Sequence, residues 1–135
     1  MAIPGTWYDR IVLDTERHLI IPSLISLGYS YSDKNQKSSM NGPMKDSWGW
    51  SIDVEKSITI GSDKYLLKLS FNEWKRVDFY VYGEDIQKLI STFRVDSNNI
   101  VDGGVKVFWL QYQFDKDKQP IIDKAAELER IIGTL

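Results

Sequence analysis

The sequence predicts a single α+β domain spanning 1–135. Its expected architecture is an antiparallel β-meander sheet of about four to five strands with an N-terminal, a middle and a C-terminal helix, in the order α-β-β-β-α-β-α. Three observations carry this. Between Trp48 and Tyr82 apolar and polar residues alternate in three successive runs, the period of half-buried strands. Apolar residues then recur at helical spacing after Gly83 and again after Pro120. A further alternating run, Val105 to Phe114, lies between those two stripes.

In chain order, Thr6 to Leu27 reads as a helix, with Thr6 and Asp9 placed to cap it and Gly28 to close it. Pro22 falls inside and kinks or divides the span. Arg10 to Asp14 is also compatible with a short strand. Tyr29 and Tyr31 alternate with Ser30 and Ser32, as in a short strand. The polar stretch 33–47, whose only apolar side chains are Met40 and Met44, is expected to be a long loop.

In the meander, Trp50, Ile52, Val54, Ile58 and Ile60 share one parity. So do Tyr65, Leu67, Leu69 and Phe71 in the second run, and Val77, Phe79 and Val81 in the third. Closing the first hairpin around Ser62 and Asp63 sets Ile60 opposite Tyr65 and Lys56 opposite Leu69. Closing the second around Asn72 to Arg76 sets Phe71 opposite Val77 and Leu67 opposite Val81. The other face then carries the rows Thr59, Leu66, Tyr82; Ser57, Lys68, Tyr80; and Glu55, Ser70, Asp78. Glu84 and Asp85 open the middle helix, with Ile86, Leu89, Ile90 and Phe93 as its stripe. In the run after Asp102-Gly103-Gly104, Phe108, Leu110, Tyr112 and Phe114 share a face opposite Val105, Val107 and Trp109. Pro120 suits the first turn of the last helix, whose stripe is Ile121, Ala125, Leu128, Ile132 and Leu135.

A formal net charge of -2 provides no footprint for nucleic acid or an anionic membrane. The absence of cysteine removes disulfides, thiolate metal sites and a cysteine nucleophile. No stretch approaches the roughly 20 apolar residues of a spanning helix, and the expectation is a soluble, cytoplasmic protein. His18 is the only histidine, which excludes histidine pairs and most triads. No glycine-rich phosphate cradle is present, and no cofactor is expected.

Two constellations remain. The first is a set of outward aromatic and acidic residues, Trp74, Tyr80, Tyr82, Trp109, Glu55 and Asp78, suited to a basic protein surface. Five Trp and seven Tyr are more than a single sheet with three helices has to bury, which favours such a surface. The second is a metal-site inventory of Asp53, Glu55, Asp78 and Lys68. The element order resembles the core of the restriction-endonuclease-like nucleases, and that resemblance implies an acidic residue on one strand and Glu-x-Lys or Asp-x-Lys on the next. The tripeptide of that form near the expected place, Glu73-Trp74-Lys75, falls in the second hairpin turn. The expected function is therefore a protein-binding module without catalysis, such as a stoichiometric inhibitor or an immunity or anti-defence protein. The alternatives are a metal-dependent nuclease and a small-molecule-sequestering protein closed by the Met40 to Trp48 segment.

Overall fold

A computed structural model of the chain describes residues 20–32, 51–72, 76–111 and 118–135. These form helix α1 (Ile20–Ser26), strands β1 (Ser30–Tyr31), β2 (Ser51–Ile60), β3 (Asp63–Asn72) and β4 (Arg76–Tyr82), and helix α2 (Ile86–Phe93). A 3-10 turn at Ser97–Asn99 follows, then strands β5 (Ile100–Val101) and β6 (Gly104–Gln111), and helix α3 (Lys118–Ile132). The strands make one six-stranded sheet in the order β1-β2-β3-β4-β6-β5, and every neighbouring pair is antiparallel. The class is α+β, as the alternation and the helical stripes predict. Of the two-residue strands at the sheet's edges, β1 falls within the Tyr29 to Ser32 alternation, whereas β5, too short to leave a periodic signal, takes the sheet beyond the expected four to five strands. Of the expected Thr6 to Leu27 helix, α1 is the described part; residues 6–19, the 33–47 loop and the Met40 to Trp48 segment lie outside the described residues.

The second hairpin has the expected register, with Phe71 opposite Val77 and Leu67 opposite Val81. The first differs by two residues. Ile60 pairs with Asp63, Ile58 with Tyr65 and Lys56 with Leu67, so the loop is Gly61-Ser62 rather than Ser62-Asp63. Gly61 has φ +62, the conformation a two-residue hairpin requires at its first position and one that glycine adopts without steric cost. Because side chains alternate with period two, a two-residue shift changes the pairs and leaves the faces unchanged.

One face of the sheet is the core. Val54, Leu67, Leu69, Phe71, Val77, Phe79, Val81 and Val105 are fully buried against Ile20 and Leu24 of α1, Leu89 of α2, and Ile121, Ala125, Leu128 and Ile132 of α3. Each large apolar side chain so buried stabilises the fold by about 1.5–3 kcal/mol. Asp85 caps α2, its carboxylate accepting from the Lys88 amide at 3.2 Å. Helix α3 begins at Lys118, two residues before the expected Pro120, which still lies in the first turn where its missing N–H costs nothing.

Lys56 is the exception on the apolar face, and its charge is satisfied there. Its Nζ donates to Glu129 Oε1 at 3.0 Å and to the Leu27 carbonyl at 3.1 Å, and lies 5.6 Å from the Tyr29 ring centre. The Tyr29 hydroxyl donates to Glu129 Oε2 at 2.6 Å. This cluster joins β2, the end of α1 and α3. Burial, helped by the Glu129 carboxylate, pushes the Tyr29 phenol well above its usual pKa.

Between β4 and β6 the register shifts at Phe79 and Tyr80, leaving Val107 as the extra residue of a bulge. The expected faces of β6 therefore hold only from Phe108 to Gln111, and Tyr112 and Phe114 lie outside the described residues. Phe108 and Leu110 pair with core-facing Phe79 and Val77, but Val105 also faces the core and Lys106 turns outward beside Tyr80. Gly104 lets β6 start against β4, since a Cβ there would stand 2.5 Å from the Val81 carbonyl oxygen. No helix among the described residues is long and apolar enough to cross a membrane.

Candidate functional site

The candidate site is the sheet face opposite the core, where β2, β3, β4 and β6 present alternate side chains. The first-hairpin register redraws the expected rows. They run Asp53, Ser70, Asp78, Trp109; Glu55, Lys68, Tyr80, Lys106; and Ser57, Leu66, Tyr82, Gly104. Glu55 therefore lies across from Lys68, and Asp53 takes the place beside Ser70 that had been expected of Glu55. No helix of the described residues contributes to this face, because the buried residues of all three helices belong to the core on the other side.

The two aspartates are each engaged. The Ser70 hydroxyl donates to Asp53 Oδ1 at 2.6 Å, and Lys68 Nζ lies 3.9 Å from Asp53 Oδ2. Asp78 is only 9 % exposed; it accepts from Arg76 Nε at 2.9 Å and has Lys106 Nζ at 3.9 Å. A carboxylate this shielded requires such partners, because desolvation without them is costly. Among the described residues no three histidine, cysteine, aspartate or glutamate side chains could hold a metal ion. Asp53, Glu55, Asp78 and Lys68 thus share a face, but the carboxylates of Asp53 and Asp78 pair with cations and a hydroxyl, and the strand of Ser70 and Lys68 separates Asp53 and Glu55 from Asp78.

The aromatic residues are held by the same cations. Lys68 Nζ lies 5.2 Å from the Tyr80 ring centre and 5.1 Å from that of Tyr82, with the two rings 6.1 Å apart. The Arg76 guanidinium stacks 4.8 Å from the Trp109 ring centre, an arrangement that orders a side chain still 52 % exposed. Burial, with Asp78 beside it, pushes the Tyr80 phenol up to about 12, so it remains a hydrogen-bond donor at neutral pH. Trp74 lies outside the described residues.

The expected patch was acidic and aromatic; the face observed interleaves Asp53, Glu55 and Asp78 with Lys68, Arg76 and Lys106. Arg76 shares the parity of Asp78, Tyr80 and Tyr82, and that alternation alone would have placed it. Lys106 left no such signal, because the bulge at Val107 reverses its side. Comparison with protein-family models, with curated proteins and with solved structures finds no match.

Proposed function

We propose that this chain is a small protein-binding module, acting in the cytoplasm as a stoichiometric inhibitor or immunity-type protein, and that it presents the outer sheet face to its partner. The observation that carries this is Trp109. A half-exposed indole on β6, stacked by Arg76 and flanked by the shielded Asp78, has the composition of an interface anchor; Trp, Tyr and Arg dominate such anchors because they combine area with directed polar groups. Tyr80 and Tyr82, ordered by Lys68, extend the same surface. Three cations alternating with three carboxylates suit a partner surface of both signs, which favours specificity over raw affinity.

Native mass spectrometry of the purified chain, alone and after incubation with lysate from its source, tests this. The expected result is a complex with one second polypeptide. Trp109→Ala should remove that complex, with a loss of at least about 2 kcal/mol of binding, and change unfolding stability by no more than about 0.5 kcal/mol. A chain that stays alone, or a complex indifferent to Trp109→Ala, would overturn the reading.

A further inference from the structure

The outer edge of β6 carries the next step. On one side β6 pairs with β4 from Gly104 to Gln111, with Val107 as the one bulged residue. On the other, β5 covers only Gly104 and Val105. Among the described residues nothing pairs with that edge from Lys106 to Gln111, and Phe108, Trp109 and Gln111 are exposed along it. A strand edge presents alternate N–H and C=O groups outward, and these are satisfied best by another strand.

Alongside this edge runs a groove of about 330 Å³, walled on the far side by Phe93, Arg94, Val95, Asp96 and Asn99 and on the near side by Lys106 to Trp109. Phe93 and Val95 make part of its wall apolar, and Arg94 and Lys106 outnumber Asp96. Lys124, 4.2 Å from the Phe108 ring centre, and Arg76, over Trp109, add two further cations at its rim. Asp78 pairs with Arg76 and Lys106, and Glu127 lies 3.0 Å from Lys124, so with Asp96 these carboxylates leave the four cations one positive charge in excess, in a chain of net charge -2. Arg94 also has φ +53, the only non-glycine residue at positive φ among the described residues. Glycine would take that conformation without strain, and an arginine kept there points to use of its side chain.

We propose that the β6 edge binds an extended acidic peptide segment by strand addition, its main chain pairing with Lys106–Gln111 and its alternate side chains entering the groove. This rests on the reading of the chain as a protein-binding module and names the kind of segment its partner offers. A second copy of the chain fits less well. It would bring two sets of these cations together, and the bulge at Val107 twists the edge away from flat self-pairing. A flexible peptide follows the twist and neutralises the charge.

The test uses the full chain and two labelled synthetic peptides about eight residues long, one alternating Glu and Val, the other Lys and Val. Fluorescence anisotropy reads binding and amide hydrogen exchange reads the site. The Glu–Val peptide should bind and protect amides within 107–111, and the Lys–Val peptide should not. Arg94→Gly should weaken binding roughly tenfold while raising the melting temperature, a pairing that damage to the fold would not produce. Equal binding of both peptides, no binding, protection elsewhere, or unchanged affinity in Arg94→Gly would overturn the proposal. So would a concentration-dependent dimer that protects β6 without peptide. If the lysate complex forms and β6 amides stay unprotected in it, strand addition fails while the binding module stands.

Discussion

Lys56 shows how one residue breaks a pattern and still belongs to it. On the apolar side of β2 it is the position a periodic reading would assign to Ile or Val, yet Glu129, Tyr29 and the Leu27 carbonyl receive it at hydrogen-bond or stacking distance. Glu129 serves two donors at once, so its loss strands both. Glu129→Ala should therefore cost about 1–2 kcal/mol of unfolding free energy in urea titration. Lys56→Ile, which completes the apolar face, should cost less than Glu129→Ala. An equal or greater loss would mean that the lysine stem, rather than the shared carboxylate, ties the elements together. The break at Lys56 could be read along the chain, but its partner on α3 could not, because the two stand 73 residues apart.

At the scale of elements, regular periods were legible and interruptions were not. The faces of β2, β3 and β4 follow from parity alone, which is why Asp78, Tyr80 and Tyr82 lie on the outer side as expected. Turn chemistry decided the first register wrongly: Ser62-Asp63 is a plausible turn pair, but Gly61 takes the left-handed position and moves the loop back. The bulge at Val107 has no compositional mark, so Val105 was expected on the outer side, and the outward turn of Lys106 beside the β6 edge stayed hidden. Helix α2 ends in Arg94, whose amide reaches back to the Ile90 carbonyl from the left-handed region. An arginine in that conformation costs about 1 kcal/mol relative to glycine. Arg94→Gly should accordingly stabilise the isolated protein by about that amount in thermal unfolding; a destabilised variant would show that the side chain supports α2 instead of being held for a ligand.

For the molecule as a whole, two shielded phenols set an alkaline limit. Unfolded tyrosines ionise near pH 10, whereas Tyr80 is pushed up to about 12 by burial and Asp78, and Tyr29 is raised further. The folded state keeps protons that the unfolded state gives up. The stability that comes from neutral phenols is thus complete below about pH 10 and is lost as the pH rises towards about 12. Urea midpoints should be flat from neutral pH to about 9.5 and fall steeply above it, with Tyr80→Phe removing part of the slope; a midpoint that already declines below pH 9 would assign the limit to other groups. The strand order also has a consequence in time. Strands β2, β3 and β4 are consecutive and joined by hairpins, while β6 reaches the sheet only after the chain has passed through α2 and β5. Closing hairpins loses less chain entropy than recruiting a distant strand, so the meander forms the nucleus and β6 docks on it late. In chevron measurements Leu69→Ala should mainly slow folding, and Val105→Ala should mainly speed unfolding. The strand proposed to accept a partner would then be the last to join the sheet and the first to leave it.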